Sequence, residues 1–319
     1  MSAPRIAVVG SYAAGLTMKV ERLPSPGETL LGTGYRVDYG GKGSNQAVAC
    51  ARLGAEVSFV AKVGKDSFGR AALKLFRAEG INVRHVKQTA DAPTGVGFII
   101  VEAPTGNNCI TLDAGANELL TAADVYDSKK ALNSAVVLTQ LEIPVQAAEA
   151  ALVRGRARGA ITILNPAPVR PLPSSVLKVV DILTPNQVEA NVLAGRRPDE
   201  KVDPEKVARE LIETGVKQVV MTLGHKGALI VTASGCTEVP AIEMTAVDTT
   251  GAGDAFNAGL AMALASGASI EDAVKFAVVT GGMAVTKEGV IPALANRNEV
   301  LDLYRQRSMI FPTWLTADM

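Results

Sequence analysis

The chain has 319 residues, enough for one large α/β domain or two of ordinary size. Its 32 Lys and Arg residues balance 32 Asp and Glu residues, and aromatic residues make up only 4%, so we expect no nucleic-acid partner. Cys50, Cys109 and Cys236 lie far apart, which favours reduced thiols in a cytoplasmic protein over disulfides or a zinc site. Neither a signal peptide nor an apolar run of about 18 residues is found, so we expect no membrane span.

Short apolar runs alternate with amphipathic segments along most of the chain. Strands are predicted for the apolar runs 6–10, 57–64, 135–142, 160–168, 179–186 and 218–224. Helices are predicted for the amphipathic segments 66–79, 144–158 and 203–214. Continuous runs of Val, Ile and Leu separated by helices are typical of a parallel sheet covered on both faces. We therefore predict a single α/β domain over residues 1–319, with ligands at the carboxyl ends of its strands.

Two segments interrupt this alternation. Residues 16–39 and 95–113 each have strand-like halves, a turn containing Pro or Gly, and no helical periodicity. Two hairpins of this kind either extend the main sheet as edge strands or form a small separate sheet. The second alternative predicts a lid over the ends of the main strands.

The segment VDTTGAGDAF (247–256) leads into an apolar helix predicted over 254–266. The first N–H groups of a helix have no intrahelical partner, and the helix dipole makes that end positive. The glycines of Gly251-Ala252-Gly253 would let a ligand approach the backbone closely, so this turn is a candidate anion site. Asp254 is then either a general base beside bound phosphates or only a helix cap.

Two other glycine-rich segments do not match nucleotide-binding motifs. GGKGS (40–44) has Gly after its Lys and is not a P-loop, and VVGSYAAG (8–15) lacks the GxGxxG spacing of a dinucleotide fold. A nicotinamide-dependent oxidoreductase is therefore disfavoured, and titration with NADH would test it.

Two long motifs resemble those of the ribokinase-like (PfkB) carbohydrate kinases, and the ribokinase branch most closely. DTTGAGDAF resembles the C-terminal signature of that family, and GGKGSNQAVACARLGA (40–55) resembles the N-terminal one. Four shorter segments lie between them in the family's order: QLE (140–142), LNPAP (164–168), TPNQVE (184–189) and TLGHKGA (222–228). The resemblance implies a mostly parallel sheet with helices on both faces, a small β lid, and ATP-dependent transfer of the γ-phosphoryl group to a sugar hydroxyl.

The resemblance also implies roles for individual residues. Asp254 would take the proton from the acceptor hydroxyl, while the amides of Gly251, Ala252 and Gly253 stabilise charge on the moving phosphoryl group. The implied sugar contacts are Gly40, Gly41, Lys42, Gly43, Asn45, Glu142 and Asp254, although Lys42 is equally compatible with a solvated or structural role. The implied nucleotide contacts are Asn186, Thr222, Gly224, Gly251 and Gly253.

Two kinds of cation are implied as well. Asn186 and Glu189 match an NxxE motif that would position Mg²⁺ through water, and the same two residues are also compatible with an N-capped helix start. A site for a monovalent cation such as K⁺ is implied at Asp248 and Thr250, together with backbone oxygens near Lys287 and Gly289. The resemblance further implies a homodimer formed through the lid.

One turn departs from the ribokinase pattern. Ribokinases have Asn and then Asp in a GSxNxD turn that holds sugar hydroxyls, and this chain has Ala13 and Gly15 there. Because unmade buried hydrogen bonds are costly, the departure puts ribose in doubt as the acceptor. The side chains considered as replacements are Tyr12, Asn107 and Asn108.

The sequence therefore predicts an ATP-dependent kinase that acts on a small monosaccharide. Candidate acceptors are a deoxy sugar, a tetrose, a ketose or a differently configured pentose, and a phosphorylated sugar would need Lys19 and Arg36 of the lid as cationic partners. The alternatives are a nucleoside kinase of the same family and a sugar or nucleotide sensor that does not catalyse transfer.

Overall fold

A computed structural model describes residues 3–316 of the chain. Within that range the strands form a nine-stranded main sheet and a four-stranded small sheet. The strands of the main sheet are β1 (Arg5–Val9), β4 (Glu56–Gly64), β5 (Asn82–Thr89), β8 (Val136–Thr139), β9 (Ile161–Leu164), β10 (Ile182–Leu183), β11 (Gln218–Thr222), β12 (Gly227–Thr232) and β13 (Cys236–Pro240). The strands of the small sheet are β2 (Ala13–Val20), β3 (Thr33–Gly40), β6 (Gly95–Glu102) and β7 (Asn108–Asp113).

Helices cover both faces of the main sheet. They are α1 (Lys42–Arg52), α2 (Ser67–Ala78), α3 (Ala122–Asp127), α4 (Val145–Arg156), α5 (Ser174–Leu177), α6 (Gln187–Leu193), α7 (Pro204–Glu213), α8 (Ala252–Ala265), α9 (Ile270–Ala284) and α10 (Arg297–Gln306). The longest helix in residues 3–316, α9, has 15 residues, and no helix in this range is long and apolar enough to cross a membrane.

The main sheet has the strand order β13-β12-β11-β10-β9-β8-β1-β4-β5. Strands from β11 to β5 are parallel, whereas β12 and β13 add an antiparallel edge. Side chains of β1 alternate between two cores, with Ile6 and Val8 facing α1, α2, α8, α9 and α10, and Ala7 and Val9 facing α3, α4, α6 and α7. Burial on both faces explains why the strands appear in the sequence as continuous apolar runs.

The predicted α/β architecture is confirmed. Each predicted strand and helix is present, although the runs 135–142, 160–168 and 179–186 shrink to β8, β9 and β10 because the residues flanking them leave the sheet. The apolar helix predicted over 254–266 begins earlier, at Ala252. The sequence did not predict the antiparallel edge or helix α9.

The two interrupting segments form a small separate sheet, so the edge-strand alternative is wrong. Its order is β3-β2-β6-β7, with β2 antiparallel to β3 and parallel to β6. Residues 13–15, which the sequence analysis assigned to a turn, are the first three residues of β2. The true turn after β1 is therefore only three residues long, and it joins the two sheets directly.

Candidate active site

Asp254 lies in the first turn of α8 and is 5% exposed. Its Oδ2 accepts a hydrogen bond from Asn45 Nδ2 at 2.8 Å, and its Oδ1 accepts one from Gln46 Nε2 at 2.9 Å. The N-cap of α8 is Gly251, so the interpretation of Asp254 as a helix cap is wrong. The carboxylate is instead held by two amide groups of α1, with its acceptor atoms directed away from its own helix.

Gln46 connects Asp254 to the carboxyl ends of two parallel strands. Its Nε2 also donates to Asn165 Oδ1 at 3.1 Å, and its Oε1 accepts a hydrogen bond from Gln140 Nε2. Gln140 follows β8 and Asn165 follows β9, and all three amide side chains are buried. The sequence analysis did not identify these residues, although Gln46 lies within the GGKGSNQ motif and could have been found there as a polar residue of a small-residue helix.

The turn formed by residues 251–253, called the glycine turn below, leaves backbone exposed at the start of α8. Gly251 has φ of 84°, and a Cβ atom there would lie 2.6 Å from Val290 Cγ1, so this position requires glycine. A Cβ atom at Gly253 would meet no atom within 4 Å. Asn257, another residue that the sequence analysis missed, donates from Nδ2 to the Gly253 carbonyl at 2.8 Å. The glycine turn is thus anchored on one side and open on the other, as an anion site requires.

Glu142 organises the start of α1. Its Oε2 accepts hydrogen bonds from Ser11 Oγ at 2.6 Å and from the Lys42 backbone N–H at 2.8 Å. A carboxylate at this helix terminus is favoured by the helix dipole. Glu142 therefore helps to fix the segment from which Asn45 and Gln46 reach the base.

Two of the three glycines of the 40–43 segment are required by the packing of the chain itself. A Cβ atom at Gly41, where φ is 88°, would lie 2.8 Å from Tyr12 Cα, and one at Gly43 would lie 2.4 Å from the Ser11 backbone nitrogen. The sequence analysis attributed these glycines to close approach of a ligand. The structure shows that Gly41 and Gly43 allow α1 to pack against the turn after β1, while Gly40 is less confined.

Lys42 lies among three carboxylates. Burial lowers the pKa of Lys42, but the charges of Asp254, Glu142 and Glu189 together hold that pKa above its ordinary value. The side chain therefore remains a cation at neutral pH and faces the same cleft as the base. This position favours a ligand contact over the solvated alternative.

Asn186 and Glu189 form a capping box at the start of α6. Asn186 Oδ1 accepts from the Glu189 backbone N–H at 2.8 Å, and Glu189 Oε2 accepts from the Asn186 backbone N–H at 2.8 Å. Burial raises the pKa of Glu189, and the hydrogen bond from Asn186 and the charge of Lys42 offset that rise only in part. These side-chain oxygens of Asn186 and Glu189 already accept hydrogen bonds at the helix start. They are therefore compatible with a metal ion that is held mainly through water.

Thr222 and Gly224 lie next to this capping box. Thr222 ends β11 and forms an isolated bridge with Asn186, and its backbone N–H donates to the Pro185 carbonyl at 2.9 Å. Gly224 has φ of 60°, and a Cβ atom there would meet no atom within 4 Å. The structure thus brings Asn186 and Thr222 together, with an open backbone position two residues beyond them.

Asp248 joins the loop before the glycine turn to the loop after α9. Its Oδ1 accepts from the Thr250 backbone N–H at 2.9 Å, and its Oδ2 accepts from the Gly289 backbone N–H at 3.1 Å. Burial alone would raise the pKa of Asp248, but these hydrogen bonds and the charge of Arg36 hold it below its ordinary value. The Lys287 ammonium group pairs with Glu299 at 2.8 Å. An ammonium group carries no acceptor atom, so only the backbone carbonyl of Lys287 could serve a cation site.

The side chains considered as replacements in the altered turn do not fit that role. Tyr12 is fully buried, and its ring packs edge to face on Phe76 with centroids 5.7 Å apart, so it cannot stack on a sugar. Burial, with nearby Tyr39 and Asp66, also raises the pKa of its hydroxyl group. Asn107 and Asn108 lie at the end of the small sheet away from Ala13, because the register pairs Ala13 with Gly95 and Val101 with Asn108.

Neither lid cation is positioned for a phosphorylated sugar. The Arg36 Nε donates to Asp38 Oδ2 at 2.6 Å, so its charge is already paired. Lys19 is exposed and lies opposite Thr33, toward the outer end of β2.

Three buried polar atoms at or behind the cleft have no hydrogen-bond partner among residues 3–316: Tyr12 Oη, Gln140 Oε1 and Asn45 Oδ1. Asn45 Oδ1 is on the same side chain that donates to Asp254. A buried carbonyl oxygen without a partner carries a desolvation penalty that a ligand hydroxyl would relieve. Within the same residues, no group of three His, Cys, Asp or Glu side chains is arranged to hold a metal ion.

Comparison with known proteins places these features in a family. Residues 3–297 match the model of the pfkB family of carbohydrate kinases. The chain is 37% identical over 298 residues to the ribokinase of Haemophilus influenzae, covering 93% of this chain and 97% of that protein. It is 34% identical over 303 residues to the deoxyribokinase of Salmonella typhi, covering 93% of this chain and 99% of that protein. The structure of Arabidopsis thaliana ribokinase complexed with ribose and ATP is similar to this structure, with a TM-score of 0.88 and 31% sequence identity. The match covers 94% of this chain and 98% of that chain.

Proposed function

The chain belongs to the pfkB family of carbohydrate kinases and is a phosphotransferase with an alcohol acceptor, and from this premise we propose that it transfers the γ-phosphoryl group of ATP to a primary hydroxyl of a small monosaccharide. The observation that carries the proposal is the Asp254 carboxylate, held at the start of α8 by Asn45 and Gln46. It is a carboxylate of fixed orientation beside an open anion site.

In the proposed reaction Asp254 accepts the proton of the acceptor hydroxyl as its oxygen attacks the γ-phosphorus. The bond from that phosphorus to the β-γ bridging oxygen breaks, and ADP leaves. The backbone N–H groups of the glycine turn and the Lys42 ammonium group stabilise negative charge on the transferring group. Asn45 Oδ1 accepts a hydrogen bond from the acceptor, which supplies the partner that this buried atom lacks.

The nucleotide extends in this proposal from the glycine turn past Asn186 and Thr222 to the open backbone at Gly224. Mg²⁺ would be held by Asn186 and Glu189, mainly through water, and would neutralise phosphate charge. A monovalent cation such as K⁺ would be held by Asp248, Thr250 and backbone oxygens of residues 286–293. The Asp248 hydrogen bonds to Thr250 and Gly289 support that last assignment because they bring the two loops together.

The identity of the sugar is the least determined part of the proposal. Relatives are named for activity on ribose and on deoxyribose, whereas Ala13 and Gly15 provide no polar side chain here. We therefore propose an acceptor that is not recognised at those two positions. A nucleoside kinase and a sensor without transferase activity are the alternatives that a substrate panel must separate.

We further propose that the protein is a cytoplasmic homodimer that associates through the small sheet. The unpaired cysteines Cys50, Cys109 and Cys236 favour a reducing compartment. Large apolar side chains exposed on the small sheet favour association with a second copy. They are Tyr35, Val37, Phe98, Ile110 and Leu112.

The test of the proposed function is ADP release from Mg-ATP with K⁺ present, across ribose, 2-deoxyribose, ribulose, fructose, tetroses and several nucleosides. Asp254→Asn should lower kcat for the best acceptor by about 10²- to 10⁴-fold, the usual contribution of a general base, while ATP binding measured by calorimetry stays near wild type. Asp302→Asn, which alters an exposed pair on α10, is the matched control and should keep full activity. Full turnover by Asp254→Asn would contradict the assignment, and ATP binding with no turnover on any acceptor would favour the sensor.

A further inference from the structure

An acidic side chain that the sequence analysis did not identify lies on the small sheet beside Gly15. The register of the β2–β3 pair places Asp38 directly opposite Gly15 and Gly40 opposite Ala13. Asp38 Oδ2 lies 3.3 Å from Thr17 Oγ1, which shows that its carboxylate is on the same face as Thr17 and Gly15. We call this the inner face of the small sheet.

Strand β3, which carries Asp38, passes close to the elements of the proposed phosphoryl-transfer centre. Strand β3 passes beside residues 291–293, and the adjacent Val290 closes the glycine turn at Gly251. The same strand ends at Gly40, one residue before α1, from which Asn45 reaches Asp254. Arg36, on the inner face, acts electrostatically on Asp248 of the loop before the glycine turn. The strand that carries Asp38 is therefore close to the cleft at each of these three points.

Gly15 leaves room beside the Asp38 carboxylate. A Cβ atom built at Gly15 would lie 3.6 Å from Asp38 Cβ and 3.5 Å from Ile99 Cδ1, which are ordinary contact distances. The Asp38 side chain is 37% exposed, so a ligand in the cleft can reach it.

The second oxygen of the carboxylate is available. Both side-chain hydrogen bonds of Asp38, from Thr17 and Arg36, are made to Oδ2. Among residues 3–316 none is made to Oδ1. The Arg36 guanidinium group thus holds the carboxylate in place, and Oδ1 is left as an acceptor for a ligand.

We propose that Asp38 is a specificity-determining residue that accepts hydrogen bonds from hydroxyl groups of the acceptor in the space left by Gly15. The inference rests on the proposed function, since it assumes an acceptor in this cleft. A carboxylate selects a neutral polyhydroxyl compound, because it accepts hydrogen bonds from neighbouring hydroxyls and repels an anion. Arg36 acts here as a positioning residue for Asp38, and phosphorylated sugars are disfavoured as acceptors.

The test compares two variants. The first is Asp38→Ala, and the second combines Asp38→Ala with Gly15→Asp, which moves the carboxylate to the opposite strand of the pair. Loss of a hydrogen bond to a charged group should raise KM for the best panel acceptor by about tenfold or more, with KM for ATP unchanged. The relocated carboxylate should recover part of the acceptor KM, because a side chain fits at position 15. Gly15→Ala alone controls for the added Cβ atom.

Calorimetric titration of each protein with D-ribose and with the best panel acceptor, in the absence of ATP, separates this inference from the proposed function. Weaker binding by Asp38→Ala than by wild type supports the role of Asp38, even for a wild-type protein that binds sugar and transfers no phosphate. Equal acceptor KM and equal binding would overturn it and leave Asp38 as a surface ion pair. Parallel losses for acceptor and ATP would also overturn it, because they would indicate a structural role, and a wild-type protein that neither binds nor phosphorylates any panel sugar would overturn both proposals.

Discussion

Asp254 has a fixed orientation before any acceptor arrives, because each of its oxygens accepts a hydrogen bond from a different amide side chain of α1. A general base must reach the proton that it removes, so a fixed orientation is as important as basicity. The sequence motif identified Asp254, but not its partner Gln46, which lies 208 positions away along the chain. No local pattern indicates a contact over that distance, and the roles of Gln140 and Asn165 were missed for the same reason.

Gly253 and Gly43 offer a matched test at the residue scale. A methyl group at Gly253 meets no protein atom and enters the open side of the glycine turn, so Gly253→Ala should leave the free energy of unfolding within about 0.5 kcal/mol of wild type. It should nevertheless lower kcat/KM, because the methyl group occupies the proposed phosphoryl site. Urea unfolding and ADP release measure the two effects.

Gly43→Ala, in contrast, should mainly lower the stability of the fold. Its Cβ atom would lie 2.4 Å from the Ser11 backbone nitrogen, and such overpacking should lower the free energy of unfolding by about 1–3 kcal/mol or more. Equal stability of the two variants would show that the close approach of α1 to the turn after β1 is not maintained in solution.

Helix α2 and strand β6 are tied together by one carboxylate. Asp66 is the N-cap of α2, accepting from the Gly69 backbone N–H at 2.8 Å, and it also accepts from the Thr94 backbone N–H and Thr94 Oγ1, each at 2.7 Å. Thr94 is the residue before β6, so this side chain fixes the base of the small sheet. Burial alone would raise the pKa of Asp66, but these hydrogen bonds outweigh it and the pKa is lowered.

The lowered pKa of Asp66 determines how its contribution depends on pH. A carboxyl group whose pKa is lower in the folded state stabilises the fold above its unfolded pKa of about 3.9 and loses that effect as pH falls below it. Asp66→Asn should therefore lower the free energy of unfolding by about 1–3 kcal/mol at pH 7, and by less at pH 3.5. Urea unfolding at both pH values, with the exposed loop variant Asp91→Asn as control, tests this. A loss of the same size at both pH values would contradict it.

The elements that the sequence predicted well are those whose burial leaves a clear pattern of apolar residues. The central strands are buried on both faces and appear as apolar runs, and α2, α4 and α7 have one polar face and appear as amphipathic segments. Helix α9 was missed because it packs against α8 and is apolar over most of its length, so it has little periodicity. Strands β12 and β13 were missed because they add to the sheet in the antiparallel direction. That direction depends on pairing between strands, which the local sequence pattern does not show.

At the scale of the whole molecule, the small sheet exposes more large apolar side chains than a monomer requires. Tyr35, Val37 and Phe98, on the face opposite Asp38, are 62%, 42% and 56% exposed. The triple variant with Glu at these three positions should therefore run as a monomer in size exclusion with light scattering, whereas the wild type should run as a dimer. Ile310→Glu, at a position 94% exposed outside the small sheet, is the control and should remain dimeric. A monomeric wild type would contradict the proposed assembly.

The junction of β3 with α1 has a consequence for wasteful ATP hydrolysis. Only Gly41 separates the strand that carries Asp38 from the helix that carries Asn45 and Gln46. If the acceptor binds beside Asp38 as proposed, it would act on the same stretch of chain that orients Asp254. A water molecule is too small to contact Asp38 and Asp254 together, so on this proposal we expect ATP to be hydrolysed slowly until an acceptor is bound.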